Sequence, residues 1–289
     1  MASIIDTMQN EALSFMAKRK KIEEKRMKEM EQNNKDMYKE IIAAILLAGR
    51  LNISVIPTFI QTIIKPIVDK YRIQQQTFVD GFIRDDYKVG IETGQKFLQI
   101  SRELIDPYNS DLTNPDYSSV LNTLLNYAEN VVDSQHNDLI SNLGKNMSSI
   151  YIINKRLDSR NAEKQINTDK NSTTNTALDG AIIGKYINSS FNNINYRTKL
   201  TAQNESNRAL NHGVLMRYIV AKRDNLPKLM TKWIEVNDEK LCKDCRAAAE
   251  GGDFGVGIYA IGDITPPPLH SSCRCILVPF LSGWENSPE

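Results

Sequence analysis

The sequence predicts a mainly α-helical protein: an elongated helical body with a small β-containing module near its C-terminus. Three observations lead there. Apolar residues recur at spacings of three and four through long polar stretches, the period of a helix with one buried face. Hydrophobic residues make up 41% of the 289 and aromatic residues 7%, with Asn, Ile, Lys and Ser abundant, which suits an extended helical body more than a compact enzyme with a large core. All four cysteines lie in one short segment, between Cys242 and Cys275.

Taken in order, residues 11–40 form a charged run in which Leu13, Met16, Met27, Met30 and Met37 give a thin apolar stripe, so a long solvated helix is expected. Within it, Lys18, Arg19, Lys20 and Lys21 are a candidate nucleic-acid contact, although Glu23 and Glu24 beside them favour a plain solvated face. Residues 41–48 are apolar almost all round and are expected to be buried. Gly49 and Pro57 interrupt the pattern, and two further helices are expected over 62–83 and 86–104. Residues 106–116 are rich in turn formers. Asp116 is expected to cap a helix running through Val120, Leu121, Leu124, Leu125 and Ala128, and the pattern resumes at Ile150, Ile153 and Leu157.

Residues 161–175 are polar and low in complexity, the composition of an exposed linker. Two helices are expected beyond it, over 176–191 and 196–220, with Pro227 ending the helical pattern. Residues 233–236 alternate like a short strand, 237–238 make a turn, and 276–280 read as a closing strand. Residues 251–257 are a glycine-rich loop, expected to be flexible and lacking the lysine of a phosphate-binding loop. Residues 265–268 form a stiff proline-rich lead into His270. The implied organisation is a helical N-terminal region over 1–160, a linker over 161–175, a domain over 176–280 that ends in the cysteine module, and a tail over 281–289.

The formal net charge is +1, so no global field announces a nucleic-acid or membrane partner. Residues 1–9 lack the charged start and apolar core of a secretory signal. The most apolar region, residues 41–68, is broken by Arg50, Pro57, Lys65 and Pro66, and its uncharged runs are shorter than the roughly 20 residues a bilayer requires. No constitutive membrane span is expected. Synthesis in a reducing cytoplasm is, and that suits thiols kept for metal.

The cysteines fall into two clusters, a C-x-x-C at Cys242 and Cys245 and an H-x-x-C-x-C at His270, Cys273 and Cys275. Thiolate and imidazole are the ligands zinc prefers, four of them in a tetrahedron. Tight pairs far from any other cysteine point to metal more than to the rival arrangement of two disulfides. Five donors compete for four positions. Either the four cysteines bind and His270 stands behind them, or His270 replaces Cys273 or Cys275, and spacing leaves both sets open. Such a site is closed, so its expected role is a structural Zn2+.

No catalytic residues are expected. A zinc deaminase needs a histidine with glutamate two residues on, and none of His136, His212 and His270 is so followed. A zincin's H-E-x-x-H is missing. A zinc-knuckle nuclease needs spare histidines near the metal, and only His270 is near in sequence. DNA binding or cleavage is the alternative to a structural role.

A further set of residues precedes the module. Arg197-Thr198 is followed by Glu205-Ser206-Asn207-Arg208-Ala209, then Asn211 and Gly213. Glu205 and Arg208 stand one helical turn apart and are expected to pair. Next come Lys232-Trp233, Val236, Asp238-Glu239, the C-x-x-C, and Pro-Pro-x-His-x-x-Cys-Arg-Cys. This order, covering about residues 177–280, resembles the phage head morphogenesis family, the minor head (minor capsid) proteins of tailed phages related to the F protein of phage Mu. Two departures concern loops: Ser271 stands where the family usually has proline, and residues 246–252 are looser than its usual short turn. The resemblance implies that Glu205, Arg208, Trp233 and Asp238 are structural motif residues. It also implies a few-copy virion protein made in the host cytoplasm and held inside the capsid near the portal, acting in head assembly and in genome packaging or ejection. Its implied partner is the portal protein, met through the N-terminal helical region. Scaffold, major capsid protein and phage DNA are further candidate partners.

Overall fold

The computed structural model describes residues 4–48, 53–100, 114–166, 180–224, 226–235, 242–270 and 273–282. The chain is mainly helical with one small sheet, as its periodicity predicts. Four long helices dominate: α1 (Ile4–Ala48), α3 (Lys65–Ile100), α4 (Pro115–Ile166) and α5 (Gly180–Asp224). Short α2 (Ile56–Phe59) carries Pro57 in its first turn, where a missing N–H costs nothing, and a π-helical turn (Ile60–Ile64) joins it to α3. The sheet consists of β1 (Met230–Ile234), β2 (Ile258–Ala260) and β3 (Ile276–Phe280) in the order β2-β1-β3, both pairs antiparallel. Between β1 and β2 lies α6 (Lys243–Glu250).

Several elements are longer than expected. The two helices expected over 62–83 and 86–104 are one, and so are those expected over 176–191 and 196–220. Residues 161–166, expected in the linker, are the last turns of α4; residues 167–179 lie outside the described residues. The capping residue of α4 is Asn114 rather than Asp116. Its Oδ1 accepts from Asp116 N at 3.0 Å, and Pro115 takes the first helical position. Asp116 instead pairs with Arg223 at 3.0 Å.

α1 is also not a plain solvated helix. Met8, Ala12, Met16, Met30, Met37, Ile41 and Ile45 are buried on it, and Arg19, Glu23, Arg26, Asn33 and Asn34 complete the same face. Residues 41–48 are buried on one side only: Leu46 and Leu47 are exposed, the latter at 88%.

The chain forms two units, each assembled from discontinuous segments. One comprises Met1–Met27, Phe78–Glu129 and Leu200–Glu289; the other comprises Lys28–Thr77 and Asn130–Lys199. In the second, stripes at helical spacing meet: Met37, Ile41 and Ile45; Ile56, Ile60, Ile64 and Val68; Leu139, Leu143 and Met147; Ile187, Phe191 and Ile194. Tyr38 meets Phe191 edge-on at 4.6 Å between ring centroids. Arg197 of the quoted motif pairs with Asp138 at 2.6 Å at this unit's surface, and Thr198 is buried beside Gln75.

The first unit holds the sheet and the cysteines. Ile4, Met8 and Met16 of α1, Phe97 and Leu98 of α3, and Leu210, Val214 and Tyr218 of α5 share one core with Trp233, Ile276, Leu277, Val278 and three of the cysteines. Gly90 of α3 and Gly213 of α5 set a close crossing. A Cβ on either would collide with the opposite backbone, at the Leu210 carbonyl oxygen and the Tyr87 carbonyl oxygen respectively. Deeper in the same unit, Asp86 accepts from Arg19 at 2.6 Å and also from Arg26 and Ser206. The two guanidiniums and the hydroxyl satisfy a carboxylate with almost no access to water, which is the condition for tolerating a buried charge. Pro279 sits in β3, an edge strand, where the missing N–H removes no ladder bond the sheet depends on.

Candidate metal centre

The C-x-x-C is a helix start rather than a bare turn. Cys242 is the N-cap of α6, with its Sγ accepting from Cys245 N at 3.3 Å, so Cys245 lies in the first turn of the helix with its thiol buried. Tyr259 of β2 donates to the Ala248 carbonyl at 2.7 Å and fixes α6 against the sheet. The glycine-rich loop that follows is closely tied. Gly252, Gly255 and Gly257 adopt positive φ, Ile258 N donates to the Gly255 carbonyl at 2.9 Å, and Trp233 N to the Gly257 carbonyl at 2.9 Å. These bonds connect the loop expected to be flexible to β1 and to itself.

The second cluster enters from the other side. Cys273 N donates to the His270 carbonyl at 3.2 Å, and the chain then runs into β3. All four cysteines are free thiols, so the disulfide arrangement is not formed. Two groups of donors assemble. Cys242, Cys245 and His270 lie with their ligand atoms within 4.8 Å of one another, and so do Cys245, Cys273 and Cys275. Cys245 is common to both. Its Sγ is 3.5 Å from Cys273 Sγ and 3.1 Å from His270 Nε2. At a tetrahedral ion with bonds of about 2.3 Å, two sulfurs stand roughly 3.7 Å apart, so the donors are already near the spacing a metal requires. All five residues named from sequence are thus brought together in a cluster compatible with a metal site.

Electrostatics point the same way. Burial pushes the Cys245 thiol up, and the neighbouring Cys273 raises it further. The hydrogen bond from Cys275 brings Cys273 down to about 5, while the same contact and burial drive Cys275 upward. Crowding buried thiols together makes each further thiolate costly, and a divalent cation bound among them would offset that cost.

α5 supports the second cluster. Asn207 Nδ2 donates to the Cys273 carbonyl, and Asn211 Nδ2 donates to the Cys275 carbonyl at 3.2 Å and to Asn207 Oδ1 at 3.0 Å. Two turns further on, Tyr218 OH donates to the Leu277 carbonyl at 3.3 Å. Glu205 and Arg208 pair as expected, at 3.2 Å; Glu205 is buried, and burial raises its carboxyl despite Arg208. Arg208 also lies over the Tyr127 ring at 4.7 Å. Beside it, His212 is held down to about 4 by burial first and the Arg208 charge second. Trp233 fills the core between sheet and helices; Asp238 lies outside the described residues.

The basic cluster divides. Lys18, Lys20 and Lys21 are exposed, whereas Arg19 is 3% exposed and bound to Asp86 and to Ser206 at 2.8 Å. The four do not form one basic patch. Glu23, expected on a solvated face, is buried, and nothing local in the sequence marks Arg26 and Asp86 or gives Asn207 and Asn211 a role. The available signal was spacing: the two asparagines stand four apart on a helix face otherwise filled by Leu210 and Val214. No helix among the described residues is long and apolar enough to cross a membrane. In comparisons with known proteins, the chain matches no family model, no curated protein and no solved structure.

Proposed function

We propose that this chain is a minor head protein of a tailed phage, an internal virion component at the portal that acts in head assembly and genome packaging or ejection, with a structural Zn2+ in its C-terminal module. The observation that carries the reading is convergence. Motifs separated in sequence, the Glu205–Arg208 turn with Asn207 and Asn211, Trp233, the C-x-x-C and the H-x-x-C-x-C, all belong to one unit. That is the behaviour expected if their order is a single structural signature rather than a coincidence of short motifs.

Zinc suits the donor set because sulfur and imidazole nitrogen at these separations match its tetrahedral preference. Bound there, it would supply cross-linking between α6, the His270 turn and the lead into β3. The buried thiols of Cys245, Cys273 and Cys275 leave little room for a substrate, so no reaction step is assigned to the ion.

The position in the particle tests the reading. Mass spectrometry of purified virions, with electron cryomicroscopy of the portal vertex, is expected to find a few copies inside the head. A chain confined to the outer capsid surface, or missing from virions, overturns it. Treating the purified chain with a chelator is expected to release about one Zn2+ and to lower the melting temperature, since metal and folding free energy are coupled in such modules. An unchanged melting curve removes the structural zinc.

A further inference from the structure

We propose that Asn207 and Asn211 are positioning residues for the metal, holding the Cys273–Cys275 backbone so that both sulfurs are presented to the ion before it arrives. The inference rests on the metal reading above and assigns to α5 a part in it.

The geometry is specific. In an extended segment, residues two apart project to the same face and the one between projects to the other. The C-x-C therefore aims Cys273 and Cys275 together and Arg274 away, towards the side where Glu23 feels its charge. That arrangement holds only if both peptide planes are fixed, and the two asparagines grip those two planes at the Cys273 and Cys275 carbonyls. They also brace each other, the second Asn211 N–H being shared between the two oxygens of Asn207, each at 3.0 Å. Both side chains are within about one hundredth of full burial, on a rigid helix whose neighbours Leu210 and Val214 are core residues. Two buried amide N–H groups in such a place require acceptors, and each has the carbonyl of a candidate ligand. Groups that orient metal ligands in this way typically contribute 10–100-fold to affinity.

The test uses the full chain and Zn2+ in competition with a chromophoric chelator. Asn207→Ala and Asn211→Ala are expected to weaken Zn2+ binding about 10–100-fold. Asn207→Ser, which keeps a donor of shorter reach, should recover part of the loss. Tyr218→Phe is the control for lost helix-to-strand bonding, because it removes the hydrogen bond to Leu277 and touches no ligand carbonyl. It is expected to bind Zn2+ as the unaltered chain does. Loading with Co2+ adds a readout that stability alone does not move: the thiolate charge-transfer and ligand-field bands should shift in the alanine variants and not in Tyr218→Phe. Unaltered affinity and spectra in the asparagine variants overturn the positioning role and leave the metal reading standing. Equal losses in Tyr218→Phe overturn it as well. An unaltered chain that takes up neither Zn2+ nor Co2+ overturns both.

Discussion

In the cysteine–histidine cluster, the two groups of donors meet at a single sulfur. Cys245 belongs to both groups of candidate ligands, whereas Cys242 and His270 belong to one and are less buried. Cys245→Ser is therefore expected to abolish tight Zn2+ uptake, and Cys242→Ser to leave a weakened site that still draws on His270, as measured by bound-metal stoichiometry at fixed free Zn2+. Equal losses from the two substitutions would contradict a shared ligand. His212 gives a second test. Its folded value near 4 lies below the ordinary histidine value of 6.5, so between pH 6.5 and 4 the unfolded chain binds a proton that the folded one does not. Stability must fall as pH drops through that window, by up to roughly 3 kcal/mol at its lower end. Glu205, raised by burial, acts in the opposite sense, so the comparison is with His212→Gln, in which the slope should flatten. The cysteines and histidine were readable from sequence because thiols clustered in one segment have few uses. Asn207 and Asn211 were not, because a buried amide is recognised only by the carbonyl it meets, and those carbonyls lie more than 60 residues away.

The helices show the same limit in another form. Breaks were expected near Arg84-Asp85 and near Asn192-Asn193, where polar residues interrupt the apolar pattern. Both helices continue because their tertiary partners use those turns. Asp86 is held by Arg19, Arg26 and Ser206, while Ile187, Phe191 and Ile194 keep one face buried across the asparagines. Local propensity was weaker than packing in each case. In α1 the buried face is partly polar, so counting apolar residues alone made it look solvated. The strand expected over 276–280 is β3 at those bounds, whereas the one expected over 233–236 is β1 at Met230–Ile234, three residues earlier at its start, and residue 236 lies outside the described residues. The crossing of α3 and α5 yields a prediction of its own. Gly213→Ala places a methyl group against the Tyr87 carbonyl, and it should destabilise the first unit by about 1–3 kcal/mol. A shift in urea midpoint at constant slope would register it, and an unchanged midpoint would show that the helices can part freely.

Across the whole chain, sequence order and spatial grouping diverge. The segment 176–280 carries the recognisable motifs, yet the core around them includes Ile4, Met8, Met16, Phe97 and Leu98. An isolated 176–280 fragment is therefore expected to lack a cooperative melt even with Zn2+ present, and mixing it with a fragment covering the preceding residues should restore one. A sharp transition in the fragment alone would show that the module is self-sufficient. The motifs advertise a domain because they are linear; the hydrophobic partners are invisible in sequence because methionines and isoleucines on a distant helix look like those of any other. The buried bond from Arg19 to Ser206 spans 187 residues, and this has a consequence for how the protein is made. On a ribosome adding about 5–20 residues each second, the stripe from Met8 to Arg19 must wait roughly ten seconds or longer before the last of the groups that cover it exists, although Asp86, Phe97 and Leu98 come sooner. During that interval it is only partly covered, and open to chaperones or to another copy of the same nascent chain. Slow translation would lengthen the wait, so the yield of soluble protein should depend on when the last strand arrives.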